Sequence, residues 1–318
     1  MNPARAAILV FAPLLCAAGC RSVPADGPLG SDAFDRHVQR LANPAAGRSN
    51  RSKGWANAGQ YIADHWRSAG LAPAGSEGSY FQHFGLLGRQ CRNVVGILPS
   101  TRGDDDGPVI VVGAHYDHLP TIRQQIGASD SGTQPPVYPG ADDNASGVAV
   151  LLMLAEALSK EQDRPATYVF VGFDAEEDGF HGSRHYVAHP AMPIERTVLM
   201  VNIDQVGRLR GDNLLVIGDV GALPNAKALL SARIQQKGMR AWWVPYVNTK
   251  GWSDQSQFAS AGVKTIFLCT GLHTQYHSPA DRVEMLNVAG AVKVAHYAYY
   301  TLLEIGRTWS GKMAIGKR

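Results

Sequence analysis

The stretch Val109-Ile110-Val111-Val112-Gly113-Ala114-His115-Tyr116-Asp117 decides the fold of this 318-residue chain. It is a short, β-branched apolar run that ends in polar residues, which is typical of a strand buried on both faces. Similar runs recur at 93–98, 167–173, 198–203, 214–217 and 265–268. Helical patterns lie at 31–41, 54–69, 147–159, 223–237, 253–261 and 287–308. Such alternation predicts an α/β fold, a single domain with a mainly parallel central sheet and helices on both faces.

Good metal ligands stand where apolar, strand-like runs give way to loops. They are two histidines and three carboxylates: His115, Asp143, Glu177, Asp204 and His277. In open α/β sheets, ligands collect at the carboxyl ends of parallel strands, so residues distant in sequence can meet there. Histidine and carboxylate side chains suit a pair of divalent cations, and Glu176, beside Glu177, is a spare base. The pattern predicts a two-metal hydrolase.

Each of these segments, taken alone, has a second interpretation. Asp117 could accept the second ring N–H of His115 or steer a neighbouring ligand, but His115 and Asp117 also fit a surface loop. Of the adjacent Asp142 and Asp143, one could cap the helix that follows while the other bridges two metals. The acids at 174–178 could be a solvated loop, although a strongly apolar strand leads into them.

Together the segments resemble the M28 family of zinc metallopeptidases, a group that includes exported bacterial aminopeptidases. The segments are Gly-Ala-His-Tyr-Asp-His (113–118), Gly-Ala-Asp-Asp-Asn-Ala-Ser-Gly (140–147), Ala-Glu-Glu (175–177), Asn-Ile-Asp (202–204) and Tyr-His-Ser-Pro-Ala-Asp (276–281). Their order and spacing are kept over about residues 34 to 307. The resemblance implies a metallopeptidase domain at 31–318 with the zinc-peptidase, phosphorylase/hydrolase-like fold, acting as an aminopeptidase on peptide substrates.

The resemblance also implies roles for the candidate residues. Two Zn²⁺ ions per chain are expected, one held by His115 and Asp204, the other by Glu177 and His277, with Asp143 bridging them. Glu176 would be the general base, and Asp117 would hold the metal ligands in position without binding a metal itself.

One departure from the family pattern concerns the oxyanion. The family often has a tyrosine shortly before the segment that here is Ser253-Asp254, but residues 248–252 read Asn-Thr-Lys-Gly-Trp. Tyr246 is nearby at a different offset. The side chain that stabilises the oxyanion is therefore unassigned.

Other activities remain compatible with these residues. A carboxypeptidase or dipeptidase would use the same site, because the sequence does not fix which peptide end is read. A glutaminyl-cyclase-like enzyme would need a single zinc, and a non-catalytic binding ectodomain would keep only the fold.

The first twenty residues are typical of a signal peptide of the lipoprotein type, which ends in Cys20. Arg5 precedes an apolar stretch at 6–18, and Ala17-Ala18-Gly19-Cys20 follows. Residues 21–30 read as a flexible linker. The expectation is an exported protein, held at the membrane only through a lipid anchor on Cys20. Because Ala17 stands where lipoprotein signals more often have leucine, periplasmic or secreted protein without an anchor is the alternative.

Net charge bears on the possible partners of the protein, and cysteine content bears on a possible disulfide. The net charge is +3 with acidic and basic residues interspersed, so nucleic acid is not an expected partner. Outside the signal, Cys91 and Cys269 remain; they could form a disulfide in an oxidising compartment or stay as two buried free thiols.

Overall fold

Four parallel strands form the middle of a nine-stranded sheet. The computed structural model describes residues 27–43, 45, 47–49, 52–103, 107–120, 137–218, 231, 238–245 and 251–308. The strands are β1 (Ala72–Pro73), β2 (Phe81–Leu86), β3 (Arg89–Leu98), β4 (Val109–His115), β5 (Thr167–Phe173), β6 (Thr197–Ile203), β7 (Asn213–Gly218), β8 (Arg240–Val244) and β9 (Thr265–Cys269).

The strand order is β1-β3-β5-β4-β6-β9-β7-β8, with β2 paired to β3. Strands β5, β4, β6 and β9 run parallel to one another. Strand β3 is antiparallel to β5, and β7 is antiparallel to β9, so direction changes toward both edges. The sheet is therefore mixed at its margins and parallel where the candidate site lies.

Helices cover both faces of the sheet. They are α1 (Ser31–Leu41), α2 (Lys53–Ser68), α3 (Gly147–Ser159), α4 (His181–Ala188), α5 (Gln255–Ser260) and α6 (Val288–Thr308). Ile110 and Val112 of β4 pack in one core cluster with α1, α2, α3 and α6. Val109 and Val111 face the other way, into a cluster with Tyr186 of α4 and Phe258 of α5. This two-sided burial explains why the parallel strands are apolar throughout and confirms the predicted α/β class.

The register of the parallel strands places the polar loops at one edge. His115 of β4 pairs with Phe173 of β5, so the segment from Asp174 onward starts beside His115. In the same direction, Ile203 of β6 pairs with Leu268 of β9, which brings Asp204 beside the loop that follows β9. The carboxyl ends of four strands thus converge.

The structure differs from the sequence prediction mainly at the sheet edges. Strands β1, β2 and β8 were not predicted, and β3 begins four residues earlier than expected, at Arg89. The predicted helix at 223–237 lies, apart from residue 231, outside the described residues. So do the signal peptide at 1–20 and most of the linker, which remain predictions.

Two further points concern cysteines and membranes. Cys91 and Cys269 are both buried free thiols, in agreement with the second interpretation of these residues. Among the helices of the described ranges, none combines the length and the apolar character needed to cross a bilayer.

Candidate metal centre

The structure brings the candidate ligands together at the carboxyl edge of the sheet. His115 is the last residue of β4, and Asp204 directly follows β6. Asp143 lies in the short irregular helix Ala141–Ser146 that leads into α3, and its peptide bond to Asn144 is cis. Glu177 lies beyond the end of β5 and His277 in the loop after β9.

The first group of ligand atoms is formed by His115, Asp143 and Asp204. His115 Nε2 lies 3.2 Å from Asp143 Oδ1 and 3.5 Å from Asp204 Oδ1. All three side chains are buried, and their ligand atoms are close enough to one another to hold one metal ion.

The second group shares Asp143 with the first. His277 Nε2 lies 3.1 Å from Asp143 Oδ2 and 3.1 Å from Glu177 Oε2. The two oxygens of one carboxylate therefore face two different imidazoles. A carboxylate in this position can bridge a pair of cations, one on each oxygen.

His118 is a member of the site to which sequence reasoning gave no role. Its Nδ1 lies 2.8 Å from Glu177 Oε1 and 4.0 Å from Asp143 Oδ2. Among the described residues, the second set whose ligand atoms lie close enough together to hold a metal ion is His118, Asp143 and Glu177, so His118 stands beside His277 as a candidate ligand. The sequence feature that could have identified His118 is its position three residues after His115, in the segment that follows β4.

Asp117 connects one ligand with the glutamate pair. Its Oδ1 lies 3.5 Å from His115 Nδ1, on the side of the ring away from Asp143. The same carboxylate accepts hydrogen bonds from the backbone N–H groups of Glu176, at 3.2 Å, and Glu177, at 3.3 Å. Asp117 thus fixes the backbone of both glutamates, and its carboxylate lies beside the His115 ring.

Glu176 stands beside the two groups without belonging to either. Its Oε2 lies 4.0 Å from His115 Nε2. Burial raises the pKa of Glu176 well above its ordinary value, and the charges of Asp254, Asp204 and Glu177 raise it further, against the opposing effect of His115. A carboxyl with a raised pKa is suited to take up a proton near neutral pH.

The charges of the ligands are mutually compensated. Burial raises the pKa of Asp143, but its contacts with His115 and His277 outweigh this and hold the pKa far below the ordinary range. Burial lowers the pKa of His277, but contacts with Asp143 and Glu177 raise it to about 10. The buried carboxylates of the cluster are therefore stabilised by positive charge close to them. When no cation is bound, protons on the histidines supply that charge.

Unpaired atoms in the cluster support a fit to zinc. Asp143 Oδ2, Asp204 Oδ1 and His277 Nε2 are buried and make no hydrogen bond within the described part of the chain. Leaving such atoms unpaired is costly, and one cation in each ligand group would satisfy them. Imidazole nitrogens and carboxylate oxygens are ligands that Zn²⁺ accepts, so the residues present fit this metal.

The loop that carries Asp143 is held by contacts of its own. Neither Asp142 nor Asp143 caps α3, because Asn144 Oδ1 accepts the Gly147 N–H at 2.9 Å. Asp142 points away from the metal centre, and its Oδ2 lies 3.3 Å from His273 Nε2. Asp281 Oδ2 accepts the N–H groups of Asp142, at 2.9 Å, and Asp143, at 3.1 Å. The helix-cap interpretation of the two aspartates is therefore wrong.

Tyr276 places a phenol beside the centre. Its ring stacks on the His277 imidazole with a centroid distance of 3.7 Å. Burial, and then the charges of Asp143 and Glu177, raise the pKa of Tyr276 above its usual value, so the hydroxyl stays protonated. Tyr246 and residues 248–250, where the family pattern places its tyrosine, lie outside the described residues.

Comparison with known families gives a consistent result. The profile of Peptidase family M28 matches residues 93–302. This range contains all five candidate ligands together with Asp117 and Glu176.

Individual relatives are more distant. The uncharacterized protein YfbL of Escherichia coli K12 is 29% identical over 234 residues, covering 64% of this chain and 67% of YfbL. Aminopeptidase YwaD of Bacillus subtilis is 34% identical over 118 residues, covering 36% of this chain and only 22% of YwaD. Among solved structures, an aminopeptidase from Aneurinibacillus sp. strain AM-1 superposes with a TM-score of 0.68 at 18% identity, covering 86% of this chain and 93% of that one. At this identity the superposition shows a shared fold.

Proposed function

Because this chain belongs to peptidase family M28, we propose that it is a zinc-dependent aminopeptidase that removes N-terminal residues from peptides. The observation that carries the proposal is the position of Asp143, whose two oxygens each face a separate group of ligands. Similarity to relatives named aminopeptidases supports the reaction class.

Each group would hold one zinc ion. His115, Asp204 and Asp143 Oδ1 would bind the first, and Glu177, His277 and Asp143 Oδ2 the second. When bound, two zinc ions lower the pKa of a water molecule and polarise the carbonyl of the peptide bond. Asp117 would keep the His115 ring in its binding orientation. His118 would hold Glu177 through Oε1, while Glu177 Oε2 faces His277.

Glu176 is the proposed general base and acid. Its carboxylate would accept a proton from the attacking water and deliver it to the nitrogen of the leaving amine. Support comes from its position, since Asp117 fixes its backbone N–H while its side chain stays outside both ligand groups.

Tyr276 is the proposed side-chain donor to the oxyanion. Its hydroxyl remains protonated for the reasons given above, and stacking on His277 holds the ring next to the second group. A neutral phenol in this place could donate a hydrogen bond to the negative charge that develops on the carbonyl oxygen.

The choice of the amino end over the carboxyl end of a peptide rests on the relatives, several of which are named aminopeptidases.

The test uses purified protein and a substrate panel in which one peptide end at a time is blocked. Aminoacyl-nitroanilides and peptides with a free N-terminus should be cleaved, and N-acetylated peptides should not. Activity should disappear with chelator and return with zinc, at two zinc ions per chain. Cleavage of N-acetylated peptides from their free carboxyl end would replace the proposal with a carboxypeptidase. Cyclisation of N-terminal glutamine by a one-zinc protein would replace it with a glutaminyl-cyclase-like enzyme, and zinc binding without turnover would indicate a binding domain.

A further inference from the structure

Arg48 is a buried cation, and within the described part of the chain its guanidinium donates its hydrogen bonds to backbone oxygens. The residue is 1% exposed. The guanidinium donates to the carbonyl oxygens of Tyr116 (3.1 Å), Leu41 (3.0 Å), Pro139 (2.7 Å), Gly140 (2.8 Å) and Asp143 (3.3 Å). Arginine has five N–H donors, so these bonds account for the donor capacity of the group.

Four of the five acceptors belong to the two loops that carry His115 and Asp143, and the fifth, Leu41, ends α1. Tyr116 lies between His115 and Asp117, while Gly140 and Asp143 belong to the loop before α3. The backbone of Arg48 adds a further bond, because its carbonyl accepts the N–H of His118 at 3.2 Å. One residue is therefore bonded to the His115–His118 segment on one side and to the Asp143 loop on the other.

Arg48 keeps its charge in this position. Burial lowers the pKa of its guanidinium to about 10, against the effect of the charges of Asp143, Asp281, Asp117 and Glu177. A protonated side chain removed from water is expensive, but a planar fork of fixed donors can hold several carbonyls at set distances, which a lysine cannot do.

We propose that Arg48 is a positioning residue of the metal centre. Its guanidinium sets the separation between the His115 loop and the Asp143 loop, and this separation lets the Asp143 carboxylate face both ligand groups. Loss of the guanidinium weakens zinc binding although every ligand is still present. This inference rests on the proposed zinc function.

Arg164 offers a matched control. It also donates to backbone carbonyls, those of Pro99 (3.0 Å), Ser159 (3.4 Å) and Glu161 (2.8 Å). It precedes β5 and so lies at the amino end of the sheet, opposite the metal centre. Arg164→Met should therefore cost hydrogen bonds without reaching the ligand loops.

The experiment compares zinc binding in wild type, Arg48→Lys, Arg48→Met and Arg164→Met. Each protein is stripped of metal, checked for folding by circular dichroism, and titrated with zinc against a chromogenic chelator. We expect about 10- to 100-fold weaker zinc binding in both Arg48 variants, the usual range for residues that orient ligands, and no change in Arg164→Met. Loading with Co²⁺ adds a spectroscopic readout, since a displaced Asp143 alters the visible absorption bands of the metal.

The outcomes separate this inference from the proposed function. If wild type binds no zinc, the proposed function fails. If wild type binds zinc and a folded Arg48 variant binds it equally well with an unchanged Co²⁺ spectrum, Arg48 does not position the centre. Equal weakening in Arg164→Met would also overturn the inference, since it would reveal a general loss of stability. Should Arg48→Met not fold, Arg48→Lys, which retains charge and most of the volume, decides the matter.

Discussion

Replacing Glu176 by glutamine separates catalysis from metal binding. Glutamine keeps the shape of the side chain but cannot exchange a proton at neutral pH. Because Glu176 is outside both ligand groups, the variant should bind zinc as wild type does. The neighbouring Glu177 is a member of a group, so Glu177→Gln should lose zinc while carrying the same chemical change one residue away.

The size of the effect follows from the role. A general base or acid contributes about 10²- to 10⁴-fold to turnover, which corresponds to about 3 to 5 kcal/mol in the activation free energy. The loss should appear in kcat, with KM little changed. Stability should not fall, because glutamine replaces a carboxyl whose ionised form is already opposed by burial and by neighbouring acids.

The assay combines steady-state kinetics on an aminoacyl-nitroanilide with zinc content by mass spectrometry. Thermal unfolding of the metal-free proteins is measured alongside. The reasoning fails if Glu176→Gln retains more than about a tenth of wild-type kcat. It also fails if zinc content falls in Glu176→Gln as far as it does in Glu177→Gln.

Three further substitutions test the supporting structure. In Gly147→Ala the new Cβ would lie 2.2 Å from Asn144 Oδ1 and 2.4 Å from the Ile203 carbonyl oxygen. Urea unfolding should therefore show about 1–3 kcal/mol of destabilisation. Gly85→Ala is the control, because the space around Gly85 is open. Burial, with the charge of His65, lowers the pKa of His37 from 6.5 to about 3, so its neutral form stabilises the fold above pH 6.5 and this contribution shrinks as pH falls. At pH 5 the free energy of unfolding is lower by about 2 kcal/mol for this reason. The difference in the free energy of unfolding between pH 7 and pH 5 should therefore be smaller in His37→Gln than in wild type, and equal differences would refute this. Ser253 Oγ donates to Asp204 Oδ2 at 2.8 Å, so Ser253→Ala should weaken zinc binding about 10-fold. Ser260→Ala is the control and should leave zinc binding unchanged, because Ser260 Oγ donates to the Ser256 carbonyl oxygen within α5.

The parallel strands and the residues at their ends could be predicted from sequence. Burial on both faces makes β4, β5 and β6 continuous apolar runs, and a polar residue directly after such a run must lie at the sheet edge. This reasoning places His115 and Asp204 at the edge directly, and Glu177 close to it, four residues after the end of β5. Strand β2, in contrast, is half-exposed and contains Gln82 and His83, so its pattern is weaker than that of the buried strands.

The rest depends on contacts between distant parts of the chain. Arg48 stands in a polar stretch that reads as a surface loop, and it is buried only because acceptors 68 and 92 residues away, at Tyr116 and Gly140, surround its guanidinium. Asp142 and Asp143 are adjacent and identical, and contacts with distant residues distinguish them: Asp142 lies beside His273, and Asp143 lies beside His115 and His277. No local pattern contains this information.

Anomalous diffraction at the zinc absorption edge, on crystals of the zinc-loaded protein, tests the shared role of Asp143 most directly. Two peaks about 3.5 to 4 Å apart are predicted, one bound by His115 and Asp204, the other by Glu177 and His277, with one Asp143 oxygen on each. A single peak, or two peaks of which only one contacts Asp143, would contradict the account.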